Sequence, residues 1–191
     1  MVTSGGSVDQ SVLRQMTDAI AHRGPDADGF FVGAGVGLGH RRLSIIDVAG
    51  GHQPMYSPDE RVVIVYNGEI YNFQQLRREL ESLGHGFKTN CDTEVLLASY
   101  LEWGQDCVTR LRGMFAFAIW DTRKGELFLA RDRLGIKPLY FANLGDGSFI
   151  FGSELKALMV YPGISARCAL TRLRITSRSV TCLTPNASLM G

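Results

Sequence analysis

MFAFAIWD, Met114–Asp121, stays apolar at both alternate sets of positions until its final aspartate. A strand turns successive side chains to opposite faces, so this one needs cover above and below. Downstream, ELFLARD (126–132), KPLYFAN (137–143) and SFIFGS (148–153) continue as strands joined by short polar turns, and a short helix is expected from Glu154 to Val160. Upstream, VVIVY (62–66) is a β-branched strand bounded by a turn signal at Asn67-Gly68. Helices lie between the strands. Leu13, Met16, Ala19 and Ile20 share a face, with Asp9 as a cap. Phe73, Leu76, Leu80 and Leu83 share another, stopped by Gly84, and a third helix runs from Asp92 to Gly104. Residues 29–40 read as two short strands around Gly33 and Gly35. The pattern predicts an α+β or layered domain of antiparallel sheets with helices outside.

Bulk properties narrow the class. The 191 residues suit one compact domain with a tail. A net charge of +1 gives no field that would draw nucleic acid, and no apolar run reaches membrane-spanning length. The first six residues carry no signal-peptide pattern, and the four cysteines (Cys91, Cys107, Cys168, Cys182) match neither a zinc ribbon nor a redox pair. A reduced, cytoplasmic setting is expected. After Glu154 no acidic residue remains, and Arg167, Arg172, Arg174 and Arg178 interrupt a stretch without periodicity. Residues 163–191 are therefore expected to lie outside the folded domain, as a disordered tail or the product of a lost reading frame.

Three segments could carry chemistry: GHRRLSIID (39–47), NGEIYN (67–72) and CDTE (91–94). Arg42 offers a planar fork that suits a carboxylate. Glu69 and Asp92 offer negative charge to an ammonium group. The Asn67 amide and the Gly68 backbone N–H are two donors that could form an oxyanion hole. Together they would suit the backbone end of a free amino acid and a carbonyl under attack. Each also has a plain structural reading. Asn67-Gly68 can be a hairpin turn, Asp92 a helix N-cap, Arg41 or Arg42 a solvated strand end, and HRGPD (22–26) a helix-stop loop. His85 and Cys91 are too few for a metal site.

The ordered segments HRGPD, GLGHRRLSIID, GGHQPM, YNGEIYNF, DTEVLL, LRGMFAFAIWD, ARDRLGIKPLYF and SELKAL resemble the N-terminal domain of glutamine-hydrolysing asparagine synthases, a class II glutamine amidotransferase. The resemblance covers His22 to about Pro162 and extends loosely back to Ser7. It implies a fold of the N-terminal-nucleophile hydrolase type, a four-layer sandwich with two antiparallel sheets between helical layers. By motif, Arg42, Leu43, Ser44, Ile45 and Ile46 would hold the α-carboxylate side of L-glutamine. Glu69 and Asp92 would hold its α-amino group, and Asn67 and Gly68 the tetrahedral oxyanion. No cofactor is expected in this domain. ATP and magnesium would serve a C-terminal synthetase domain, where ammonia converts activated aspartate to asparagine, and a homodimer is one assembly the resemblance allows.

Two departures stand out. The family begins Met-Cys-Gly, its terminal cysteine attacking glutamine with its own α-amine as base. This chain begins MVTSGG, so the first strand and the nucleophile are expected to be missing from a domain spanning 1–162. No SGGxDS-like pyrophosphate loop follows. The chain is thus expected to be an amidotransferase domain inactive as written. The alternatives are a module that binds glutamine without turnover, a defective product, or a domain serving another acceptor.

Overall fold

The computed structural model describes residues 1–43, 51–164, and the backbones of 173–175 and 181–183. Two sheets are stacked between two helical layers. The larger sheet has the order β10-β6-β5-β4-β3, built from β3 (Met55–Tyr56), β4 (Val62–Ile70), β5 (Gly113–Asp121), β6 (Glu126–Arg131) and β10 (Thr181–Leu183). All its pairings are antiparallel, and β4 and β5 match along their whole length, from Val62 opposite Asp121 to Ile70 opposite Gly113. The second sheet comprises two pieces. One is the hairpin β1 (Ala27–Gly33) and β2 (Val36–Arg42). The other is β8-β7-β9, formed by β7 (Tyr140–Asn143), β8 (Phe149–Gly152) and β9 (Leu173–Ile175). Val2 joins the pieces, bridging antiparallel to Val36 on one side and to Phe149 on the other.

β5 shows why its sequence is apolar on both faces. Phe117 and Ile119 pack with Val62, Ile64, Leu80, Leu96 and Tyr100 beneath α2 (Phe73–Ser82) and α3 (Asp92–Trp103). The alternate residues Ala116, Ala118 and Trp120 meet Leu38, Val65 and Phe149 between the sheets. A third apolar layer, including Leu13, Met16, Ile150 and Leu158, lies under α1 (Gln10–Asp18) and α5 (Leu155–Met159). Full burial of each large side chain in these layers contributes about 1.5–3 kcal/mol. A four-residue helix, α4 (Cys107–Arg110), leads into β5.

Asp9 caps α1 as expected, its Oδ1 accepting the N–H groups of Ser11 and Val12 at 2.8 and 3.3 Å. Two other local readings are corrected. Asn67-Gly68 is not a hairpin turn: both residues lie inside β4, opposite Ala116 and Phe115. Gly68 is there because β5 presses against it, and a Cβ would come within 2.7 Å of Phe115 Cα. Asp92 is not the N-cap of α3. Cys91 holds that position without a side-chain capping bond, and Asp92 is the first helical residue.

Both ends of the described chain also make sheet contacts. Met1 donates from its amine to Gly37 O at 2.6 Å and accepts from Gly37 N–H at 2.9 Å. The start of the described chain thus lies inside a sheet. Beyond Gly163, β9 pairs with β7 and β10 with β6. The other residues after Ile164, on which the expectation for 163–191 also falls, lie outside the described residues.

Candidate functional site

The site forms where the two sheets open at one end. The C-terminal end of β2 supplies His40, Arg41 and Arg42, and Leu43 follows it. The second half of β4 supplies Tyr66, Asn67, Gly68 and Glu69. The start of α3 supplies Cys91, Asp92 and Thr93. These residues line a single cavity with Arg23, Gln53, Met114 and Lys137. The structure therefore brings together Arg42, Leu43, Asn67, Gly68, Glu69 and Asp92. Ser44, Ile45 and Ile46 lie outside the described residues.

Side-chain geometry fixes several of these walls. Asp92 Oδ2 accepts the Tyr66 hydroxyl at 2.7 Å and the Ile70 N–H at 3.0 Å. This clasp ties the first turn of α3 to β4 across 22 residues of chain. Burial and the neighbouring Asp92 carboxylate push the Tyr66 phenol far above its ordinary pKa, so it remains a donor. Glu94 holds the approach to α3, accepting from Lys88 N–H (2.8 Å), Thr89 N–H (2.7 Å) and the Thr89 hydroxyl (2.6 Å).

Lys137 reaches the cavity from a loop organised by Asp132. That buried carboxylate accepts from the N–H groups of Phe115, Ile136 and Lys137 at 3.2, 2.9 and 2.9 Å. Burial raises its pKa, but the backbone donors outweigh burial and the net shift is downward.

His40 stands between this cavity and a second one. Its Nε2 lies 3.0 Å from Tyr66 O, and its Nδ1 is buried without a hydrogen-bond partner among the described residues. Burial lowers its pKa to about 4. The ring is therefore neutral at pH 7, with Nε2 as the donor to the carbonyl and Nδ1 as an acceptor.

Arginines and a lysine can hold a carboxylate here, the Glu69 and Asp92 carboxylates can hold an ammonium group, and the Asn67 amide can face a developing negative oxygen. Arg23, Tyr66, Gln53 and Lys137 were not singled out from the sequence. Their signals were indirect: HRGPD and ARDRLGIKPLYF stood among the ordered motifs, and Tyr66 immediately precedes Asn67. Among the described residues no group of three or more His, Cys, Asp or Glu side chains could hold a metal ion. Nor is any described helix long and apolar enough to cross a membrane.

Two antiparallel sheets between helical layers, with a cavity at one end, form a four-layer sandwich of the N-terminal-nucleophile hydrolase type. A solved structure of glutamine phosphoribosylpyrophosphate amidotransferase from B. subtilis, complexed with ADP and GMP, superposes with a TM-score of 0.69 at 23% identity. The match covers 81% of this chain and 41% of that one. A structure described as the allosteric regulatory enzyme of purine biosynthesis gives 0.57 at 29% identity, over 68% of this chain and 30% of that one.

The chain belongs to the glutamine amidotransferase domain family, whose model matches residues 2–189. It is 48% identical over 168 residues to asparagine synthetase [glutamine-hydrolyzing] 3 of Bacillus subtilis, covering 86% of this chain and 27% of that protein. It is 51% identical over 151 residues to asparagine synthetase 1 of the same organism, covering 79% and 24% respectively. The chain thus spans about a quarter of the length of these relatives and corresponds to their amidotransferase part.

Proposed function

We propose that the cavity binds L-glutamine and that the domain is the glutamine-handling end of a cytoplasmic asparagine synthase. It would supply ammonia to a synthetase domain that uses ATP and magnesium to amidate aspartate. The convergence of Arg42, Asn67, Gly68, Glu69 and Asp92 on one cavity carries the reading. Arg42 receives the α-carboxylate, a side to which the family motif also assigns Leu43, Ser44, Ile45 and Ile46. Glu69 and Asp92 receive the α-ammonium. Asp92 presents its carboxylate in an orientation set by Tyr66 and Ile70.

The side-chain carbonyl then faces Asn67 and Gly68. When a terminal cysteine thiol attacks that carbonyl, negative charge moves to its oxygen, and these two donors stabilise it. The thiol's proton passes by way of the cysteine's own α-amine to the amide nitrogen, which leaves as ammonia, and water then cleaves the thioester to give glutamate.

Calorimetry with L-glutamine tests the binding. Saturable binding that prefers L-glutamine to D-glutamine and is weakened at least tenfold by Arg42→Ala is expected. Equal affinity for both enantiomers, or none for either in a protein shown to be folded, would overturn the assignment.

A further inference from the structure

In an antiparallel strand the N–H and C=O of one residue point to the same edge, and the next residue points to the other. In β4 the odd positions face β5. Thr122 N–H donates to Arg61 O at 2.9 Å just before the strand, and Tyr71 N–H donates to Arg112 O at 2.8 Å just after it. The even positions, Val62 to Ile70, face the opposite edge. There β3 covers only the first of them: Ser57 N–H donates to Val62 O at 2.8 Å, and Ile64 stands opposite Met55. Among the described residues no strand pairs with this edge beyond Met55.

Side chains take over where the strand stops. Continued register would bring the Gln53 backbone opposite Tyr66. Instead the Gln53 carbonyl lies against Gly29 of β1, which has no room for a Cβ. The Gln53 side chain turns to β4, and its Oε1 accepts from Tyr66 N–H at 2.6 Å. His40, on β2, donates from Nε2 to Tyr66 O at 3.0 Å. Further along the edge, Ile70 N–H donates to Asp92 Oδ2 at 3.0 Å. Gly68 lies between these fixed points and lines the cavity. Among the described residues its N–H has no hydrogen-bond partner. A strand that paired with Tyr66 would run on and consume the Gly68 N–H as well. Two side chains, which reach only one residue, satisfy Tyr66 and leave Gly68 free.

We propose that His40 and Gln53 are positioning residues: they end main-chain pairing on this edge of β4 at Tyr66 and hold the next free amide, Gly68 N–H, aimed into the cavity as a preset donor to a developing negative oxygen. Both act through the main chain of Tyr66 rather than on the substrate. The use of that donor rests on the glutamine reading; the clamp does not.

The test is nuclear magnetic resonance of the full chain, first without ligand. His40→Phe and Gln53→Leu should each lower the order of the Gly68 amide, and Gln53→Leu should speed exchange of the Tyr66 amide about tenfold. His40→Gln and Gln53→Glu, which keep a donor and an acceptor at similar reach, should leave the Gly68 amide as ordered as in the unsubstituted chain. The Val65 and Asn67 amides, which face β5, should stay protected in all four variants. A Gly68 amide unchanged in both His40→Phe and Gln53→Leu would overturn the proposal. So would loss of protection at Val65 and Asn67 together with Gly68, since the two residues would then merely hold the sheet together. With saturating L-glutamine the Gly68 resonance should shift in the unsubstituted chain and in His40→Gln, but not in His40→Phe; an equal shift in His40→Phe would also overturn it. If no glutamine binds, the glutamine reading fails alone, and the ligand-free comparison still decides the clamp.

Discussion

The Met1 amine makes the stability of this domain depend on pH in a range where few side chains titrate. Burial lowers its pKa from 8.0 to about 5. Above pH 8 the amine is neutral in both folded and unfolded chains, and folding carries no charge penalty. As pH falls through 8 the unfolded chain takes up a proton that the folded chain refuses until about pH 5, so stability falls across that window. Each unit is worth about 1.4 kcal/mol, giving roughly 4 kcal/mol over the whole shift. His40 is depressed in the same sense, from 6.5 to about 4, so its contribution to stability is lost at lower pH.

The interval from pH 8 to 6.5 isolates the amine, where roughly 2 kcal/mol should be lost. The perturbation is acetylation of Met1, which leaves an N–H for Gly37 O and removes the charge. Urea unfolding of free and acetylated protein, with retention of Met1 verified by mass, reads the difference. The free form should lose stability with acidification while the acetylated form stays nearly level over that interval. Identical slopes would refute the reasoning and mean that the amine is hydrated in the folded state.

Other expectations concern the cavity and the sheet around it. Tyr66→Phe removes a charge-assisted bond to Asp92 and should weaken glutamine binding about tenfold in calorimetry, with little change in thermal stability. Gly68→Ala forces a Cβ against β5 and should cost about 1–3 kcal/mol in urea unfolding. In a form extended at its N-terminus with the family's cysteine-bearing strand, Asn67→Ala should lower the glutaminase rate by about 10²–10³ with KM little changed. Arg42→Ala in the same form should chiefly raise KM, and the reverse split would exchange the roles assigned to the two residues.

Much of the layering was legible in the sequence because β5 is apolar on both faces and α1 and α2 are each apolar on one. Asp9 was legible because a cap acts within three residues of itself. Asn67-Gly68 misled because a turn and a glycine pressed by a neighbouring strand look alike locally. The residue that decides between them, Phe115, lies 47 positions along the chain. Asp92 misled for a similar reason: it has the composition of a cap, while its partner Tyr66 belongs to another element. The gathering of Arg42, Glu69 and Asp92 followed from ordered motifs rather than periodicity, since sheet register, which brings them together, is not written in any one segment.

The Tyr66–Asp92 clasp carries a consequence for how a ligand is met. A carboxylate already held by a phenol and a backbone N–H has little rotational freedom left to surrender, so ordering it costs a guest little entropy. The phenol keeps its proton throughout the range in which the Met1 amine and His40 titrate. Mild acid would therefore erode the margin of the folded state while the phenol went on donating to the anchor in the cavity.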